Sequence, residues 1–176
     1  ISKNPPNTGR IKWILEMFPN AKFIFIHRDP IETFVSTKAF IQKTMELPKL
    51  QDISEHTLKS NIQWQYFKLM NAYLKTKHLI PEENLIEIRF EAFQKTPVKH
   101  LKRIYHQLNI PGFETMEATF TQYVAKKSKH KRNKYPVSKS LEKEIAQLWQ
   151  FAFLEWNYSL PNPQIVKQDA ISITEQ

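Results

Sequence analysis

The stretch Phe23-Ile24-Phe25-Ile26-His27-Arg28-Asp29-Pro30-Ile31-Glu32-Thr33-Phe34-Val35-Ser36 decides how this chain is read. Phe23 to Ile26 form an unbroken apolar run bounded by Lys22 and His27, the pattern of a strand buried on both faces of a parallel sheet. Asp29 can cap a helix, Pro30 suits the first helical position, and Glu32 places negative charge in the first turn. Strand, tight turn and helix therefore meet at Arg28-Asp29-Pro30. In parallel α/β sheets ligands bind beyond the carboxyl ends of the strands, which is where Arg28 falls. Ser36 follows Asp29 by almost two helical turns, so it lies on the same side of the helix, roughly 10 Å along the axis. An anion held between them would accept from a guanidinium fork and a hydroxyl at once, close to the positive end of a helix. The same residues also allow a structural reading, in which Arg28 pairs with Asp29 or Glu32 and Ser36 packs against the sheet.

Outward from this segment, Ile11, Ile14, Leu15 and Phe18 repeat at helical spacing before Pro19, predicting a short helix over Arg10 to Phe18. On the other side, Leu58, Ile62, Tyr66, Leu69, Met70 and Tyr73 mark a long helix that must end before Pro81. A second strand is expected over Leu85 to Phe90, with Ile86, Ile88 and Phe90 on one face. Thr96-Pro97 opens a helix whose inward residues include Val98, Leu101, Ile104 and Leu108. Another helix is expected near Glu114 to Ala125, and a last one carries Leu141, Ile145, Leu148, Trp149, Ala152 and Trp156. From Asn157 the sequence turns polar and proline-containing. Helices alternating with short apolar strands give an α/β fold, three layers with a parallel sheet between helices. The domain is expected over residues 1–160, with a loosely held tail over 161–176.

Composition narrows the chemistry. The chain has 176 residues, 41% of them hydrophobic, enough for one domain with a real core. Only Gly9 and Gly112 are glycine, where average usage would give roughly 12, so neither a Walker loop nor a complete dinucleotide fingerprint is encoded. Cysteine is absent, which excludes a disulfide scaffold, a thiolate metal site and a cysteine nucleophile, and is compatible with the cytoplasm as the expected location. No apolar stretch is long enough to span a membrane, and the six histidines show no metal-ligand spacing. No metal is expected. The net charge of +9 is concentrated: six Lys or Arg fall between Lys126 and Lys134, and without them 20 basic residues face 17 acidic ones. One local cluster suits a compact anion such as phosphate better than a long polyanion. A solvated loop without a ligand fits it too.

The segment from Phe23 to Ser36 resembles the strand, turn and helix of sulfotransferases that use 3′-phosphoadenosine 5′-phosphosulfate (PAPS). Their pattern is an apolar strand, Arg-Asp-Pro, and a serine at the spacing seen here between Arg28 and Ser36. The resemblance implies that these two side chains bind the 3′-phosphate of PAPS. Other segments agree. Ser2-Lys3-Asn4-Pro5 is similar to the family's Lys-containing strand, Phe18-Pro19 to a helix end before the arginine motif, and Ile88-Arg89-Phe90-Glu91 to an apolar strand ending in Arg-Tyr-Glu. Phe90 stands where the family has tyrosine, so an adenine contact through a phenolic hydroxyl is not carried over. The basic loop from Lys129 to Pro136 resembles the Lys-Gly-Arg loop that closes over the same phosphate, with Lys131 and Arg132 as the implied contacts, though the glycine is missing.

The resemblance implies a P-loop NTPase-like fold and direct transfer of a sulfuryl group from PAPS to a hydroxyl or amine, with PAPS as co-substrate. It covers the later two-thirds of a family domain. The first residue is Ile1, and the Ser/Gly/Thr-rich loop for the 5′-phosphosulfate is not in the sequence. The expectation is an N-terminally truncated domain, inactive alone. In cytosolic relatives a Lys-Thr-His segment supplies the base; here the position reads Lys3-Asn4-Pro5, so Lys3 is the candidate to contact the transferring group, with an ordinary strand-end lysine as the alternative. His27 leaves the strand opposite Arg28 and is read as structural. Two rival functions stand beside this one: a P-loop-type kinase, which would need a Walker lysine and a magnesium-binding acid, and a nucleic-acid binder using the basic cluster. The latter expects aromatics interleaved with the charges, and only Tyr135 is near. No nucleic-acid partner is therefore expected.

Overall fold

Two apolar runs become two parallel strands, and the other regular elements among the described residues are helices. The computed structural model describes residues 1–44, 51–127 and 135–161. Strand β1 spans Phe23–His27 and β2 spans Leu85–Arg89. They pair in parallel, with Ile24 opposite Ile86, Ile26 opposite Ile88 and His27 opposite Arg89. Around them lie α1 (Ile11–Met17), α2 (Pro30–Thr44), α3 (Glu55–Thr76), α4 (Phe90–Lys95), α5 (Pro97–Gln107), α6 (Phe113–Lys127), α7 (Lys139–Leu148) and α8 (Gln150–Glu155).

Register puts Ile24, Ile26, Ile86 and Ile88 on one sheet face and Phe25, His27, Glu87 and Arg89 on the other. The second face carries the main core. Phe25 stacks on Tyr73 of α3 with ring centroids 3.9 Å apart and lies 5.5 Å from Trp156, while Trp149 stacks on Tyr66 at 3.9 Å. The first face is covered by α5 over β2 alone: Ile86 and Ile88 are 1% and 2% exposed and pack with Ile104 and Leu108. Helices thus lie on both sides of the sheet, giving the expected three layers.

Three local readings change. First, β1 is not buried on both faces, because Ile24 and Ile26 are each 48% exposed beyond the reach of α5. An apolar run records the preference of its side chains, not the layer that covers them. Second, Phe90 does not extend β2 but starts α4, after Arg89 with φ −72° and ψ 123°. Third, the last helix breaks at Trp149, whose φ of −113° and ψ of 24° leave the helical region. Its indole is buried against Tyr66 and Phe34 and donates to the Gln63 carbonyl at 3.3 Å, so packing overrides a periodicity that continued through it.

Serines begin two of the other helices. Ser54 caps α3 by accepting from the Thr57 amide, and Ser138 caps α7 by accepting from the Leu141 amide. The one positive-φ glycine is Gly112 at φ 88°, in the turn that enters α6 after Pro111. Glu87, facing the core from β2, is satisfied by the Tyr73 hydroxyl at 2.6 Å and by Lys77 at 3.5 Å, and Lys77 also reaches Glu155 at 2.6 Å. Among the described residues no helix is long and apolar enough to cross a membrane.

Candidate functional site

The turn after β1 is built as its residue types require. Asp29 Oδ1 accepts from the amides of Ile31 at 2.9 Å and Glu32 at 3.1 Å, and the Asp29 carbonyl accepts from the amide and hydroxyl of Thr33, both at 2.9 Å. With Pro30 first, α2 starts with its free N–H groups satisfied. Burial pushes the Asp29 carboxyl above its usual range, while the Glu32 and Ile31 amides draw it back. Arg28 sits one residue before this cap, at the carboxyl edge of the sheet.

The Arg28 guanidinium is held by two neighbours. Its Nη2 donates to Glu32 at 2.8 Å, and its carbon lies 5.1 Å from the centroid of the Phe90 ring. Its Nε is buried and has no hydrogen-bond partner among the described residues. A buried N–H left unsatisfied costs on the order of 1–3 kcal/mol, so the guanidinium has a donor to spare. Ser36 lies half-buried in the middle of α2. The sequence-level alternative of an Arg28–Glu32 pair is present in the structure, and it uses only one edge of the fork.

Behind the turn runs a chain of hydrogen bonds that sequence reasoning missed. The Asp29 amide donates to Glu91 Oε1 at 3.2 Å, and the Tyr158 hydroxyl donates to Glu91 Oε2 at 3.0 Å. The same hydroxyl lies 3.1 Å from His27 Nδ1. Because its proton goes to Glu91, the hydroxyl accepts from His27, which fixes the neutral imidazole with its hydrogen on Nδ1. Burial lowers the His27 pKa, more strongly than Glu87 raises it. Burial would push the Glu91 carboxyl up, but hydrogen bonds from its own amide, the Asp29 amide and the Tyr158 hydroxyl hold it below its ordinary value.

Tyr158 reaches this place because α8 ends in a left-handed residue. Asn157 has φ 52°, its amide donates to the Leu154 carbonyl, and the Tyr158 amide donates to the Phe153 carbonyl at 2.8 Å, the Schellman pattern. Arg89, at the end of β2, donates to the carbonyls of Trp156 and Asn157 and lies 4.2 Å from the Tyr158 ring. The segment after Asn157 is therefore pinned to the sheet as far as Tyr158, within the expected domain; of the tail expected over 161–176, residues 162–176 lie outside the described residues. An asparagine just past a helix and followed by an aromatic was the available signal.

Lys3 is not on a strand. Residues 1–4 are irregular and exposed, and Pro5 and Pro6 open a tight turn over Pro5–Gly9. Proline lacks the N–H that a ladder needs, so the expected strand end does not form here. Lys3 lines a groove of about 1070 Å³ with Met17, Phe18, Ile24 and Ile26, on the uncovered part of the sheet; Arg28 and Ser36 do not line that groove. Lys131 and Arg132 lie outside the described residues, as does most of the basic loop. Among the described residues no group of three or more His, Asp or Glu could hold a metal ion.

A profile described as "Sulfotransferase family" matches residues 1–115. The chain belongs to the sulfotransferase family. It is 28% identical over 164 residues to the omega-hydroxy-beta-dihydromenaquinone-9 sulfotransferase Stf3 of Mycobacterium bovis and to that of Mycobacterium tuberculosis, covering 93% of this chain and 42% of each relative. Its fold matches the crystal structure of sulfotransferase STF9 from Mycobacterium avium with a TM-score of 0.72, at 19% identity, over 90% of this chain and 42% of the other. The chain thus spans less than half the length of these relatives. Family membership turns the spare donor of Arg28 from a packing detail into a candidate ligand group.

Proposed function

We propose that this chain carries the 3′-phosphate-binding half of a PAPS-dependent sulfotransferase, with Arg28 and Ser36 as the phosphate contacts. The observation that carries the reading is the buried Arg28 Nε, which has no hydrogen-bond partner among the described residues, at the carboxyl edge of β1 and beside the N-terminus of α2. A phosphate oxygen supplies the acceptor that this N–H lacks, so the residues fit the group. PAPS, when bound, supplies an activated sulfuryl whose bond to the 5′-phosphate oxygen breaks as the acceptor oxygen bonds to sulfur. Arg28 and Ser36 act far from that bond: they fix the nucleotide end, and such remote binding orients the reacting end. Lys131 and Arg132 enter the proposal as a second cationic arm on the same phosphate, and Lys3 as the side chain that meets the transferring group. No metal is needed for these roles.

A hydroxyl acceptor is favoured over an amine because the named relatives are sulfotransferases of an omega-hydroxy compound. The kinase reading is less supported: Asp29, the acid after β1, spends its Oδ1 on capping α2. The test is binding of 3′-phosphoadenosine 5′-phosphate (PAP) by calorimetry in the full-length protein. Arg28→Ala is expected to weaken PAP at least tenfold and Ser36→Ala about threefold to tenfold, in line with the loss of charged and neutral hydrogen bonds. Unchanged PAP affinity in Arg28→Ala refutes the assignment.

A further inference from the structure

We propose that Glu91 and Tyr158 are positioning residues for the phosphate site, acting on the peptide bond that follows Arg28. The inference rests on the reading of Arg28 as a 3′-phosphate ligand. Arg28 projects from a two-residue connection between β1 and α2, and three things fix that connection. The strand holds it from behind, the Asp29 carboxylate closes the first turn of α2 ahead, and Glu91 takes the Asp29 amide from the side. That amide belongs to the Arg28–Asp29 peptide, so its orientation sets the direction in which the Arg28 side chain leaves the backbone.

Tyr158 holds the Glu91 carboxylate from its other side. Its hydroxyl occupies the second carboxylate oxygen and is held in turn by His27 Nδ1. Both oxygens of Glu91 have donors other than the guanidinium: Arg28 pairs with Glu32 instead. A carboxylate near an anion site repels the anion, and here its lone pairs are tied to an amide and a phenol while the fork of Arg28 stays available. The last link is long in sequence. Arg89 grips the carbonyls of Trp156 and Asn157, so the turn that ends α8 delivers Tyr158 to a site built by residues near the start of the chain.

The experiment compares PAP with adenosine 5′-monophosphate, which lacks the 3′-phosphate, in the full-length protein by calorimetry. The wild type is expected to prefer PAP, and Arg28→Ala to abolish that preference. Tyr158→Phe is expected to reduce PAP affinity about fivefold to tenfold with the monophosphate unchanged, less than a full lost hydrogen bond to a charged group because Tyr158 acts on the site through Glu91. Glu91→Ala should lose more, Glu91→Gln should recover part of it because its carbonyl still accepts the Asp29 amide, and adding Tyr158→Phe to Glu91→Ala should cost nothing further. If Tyr158→Phe and Glu91→Ala keep the full preference for PAP, or weaken both ligands equally, the positioning role is overturned while the Arg28 reading stands. If the wild type shows no preference and Arg28→Ala changes nothing, that reading fails and this inference with it.

Discussion

Replacing Glu32 by glutamine should tighten, not weaken, the binding of PAP. In the structure Arg28 donates to Glu32 at 2.8 Å, with the two side chains 25% and 48% exposed. So exposed a pair is screened by water and worth well under 1 kcal/mol, which makes it a poor anchor and an easy one to displace. A phosphate that takes the guanidinium would sit a few ångströms from the same carboxylate. At about 5 Å in water, a carboxylate and a phosphate dianion repel by about 1–2 kcal/mol, less in salt. Glu32→Gln removes the repulsion and leaves Arg28 a neutral acceptor, so PAP affinity should rise roughly tenfold at low ionic strength. Calorimetric titration at low and high salt checks this, with the gain shrinking as salt rises. Weaker binding by Glu32→Gln would refute the reasoning, because it would mean that Glu32 aims the arginine and does not compete for it.

Stability should fall as pH drops through the histidine range. Burial depresses His27 in the folded state, so the unfolded chain binds more protons below about pH 6.5, and stability is lost from there down to the folded-state pKa. Urea denaturation between neutral and mildly acidic pH should show this slope, and His27→Asn should flatten it; an equal slope in the variant argues against His27 as its source. Trp149→Ala should cost about 3–5 kcal/mol, since it empties the space between Tyr66 and Phe34. A loss below about 1 kcal/mol in urea titration would contradict the packing described for that residue.

The part of the site legible in sequence is the part made by neighbours in sequence. Asp29 as cap, Pro30 as first helical residue and the apolar run before them specify strand, turn and helix locally, and Arg28 and Ser36 inherit their places from that frame. The rest depends on partners far along the chain. Ile24 and Ile26 read as buried because they are apolar, whereas α5 reaches only their neighbours on β2. Trp149 kept helical periodicity, yet a hydrogen bond to the carbonyl of Gln63 and two aromatic contacts set its backbone. Glu91 stands in the motif after β2 and Tyr158 after a helix-ending asparagine, but neither signal says that they meet; their pairing exists only once β2 and the end of α8 lie side by side. Lys3 looked like a strand end through resemblance, and two prolines decided otherwise.

The aromatic ring that lines the back of this site also makes it visible to light. Trp156 lies parallel to His27, with ring centroids 5.5 Å apart and planes 17° from each other. Of the four tryptophans, Trp13 and Trp64 are exposed and Trp149 and Trp156 are buried, so their emission divides by colour. A protonated imidazole quenches a stacked indole, whereas a neutral one does so far less. Trp149 and Trp156 share the blue-edge emission, and because only Trp156 stacks on His27, its part of that emission is the part that reports the charge on His27.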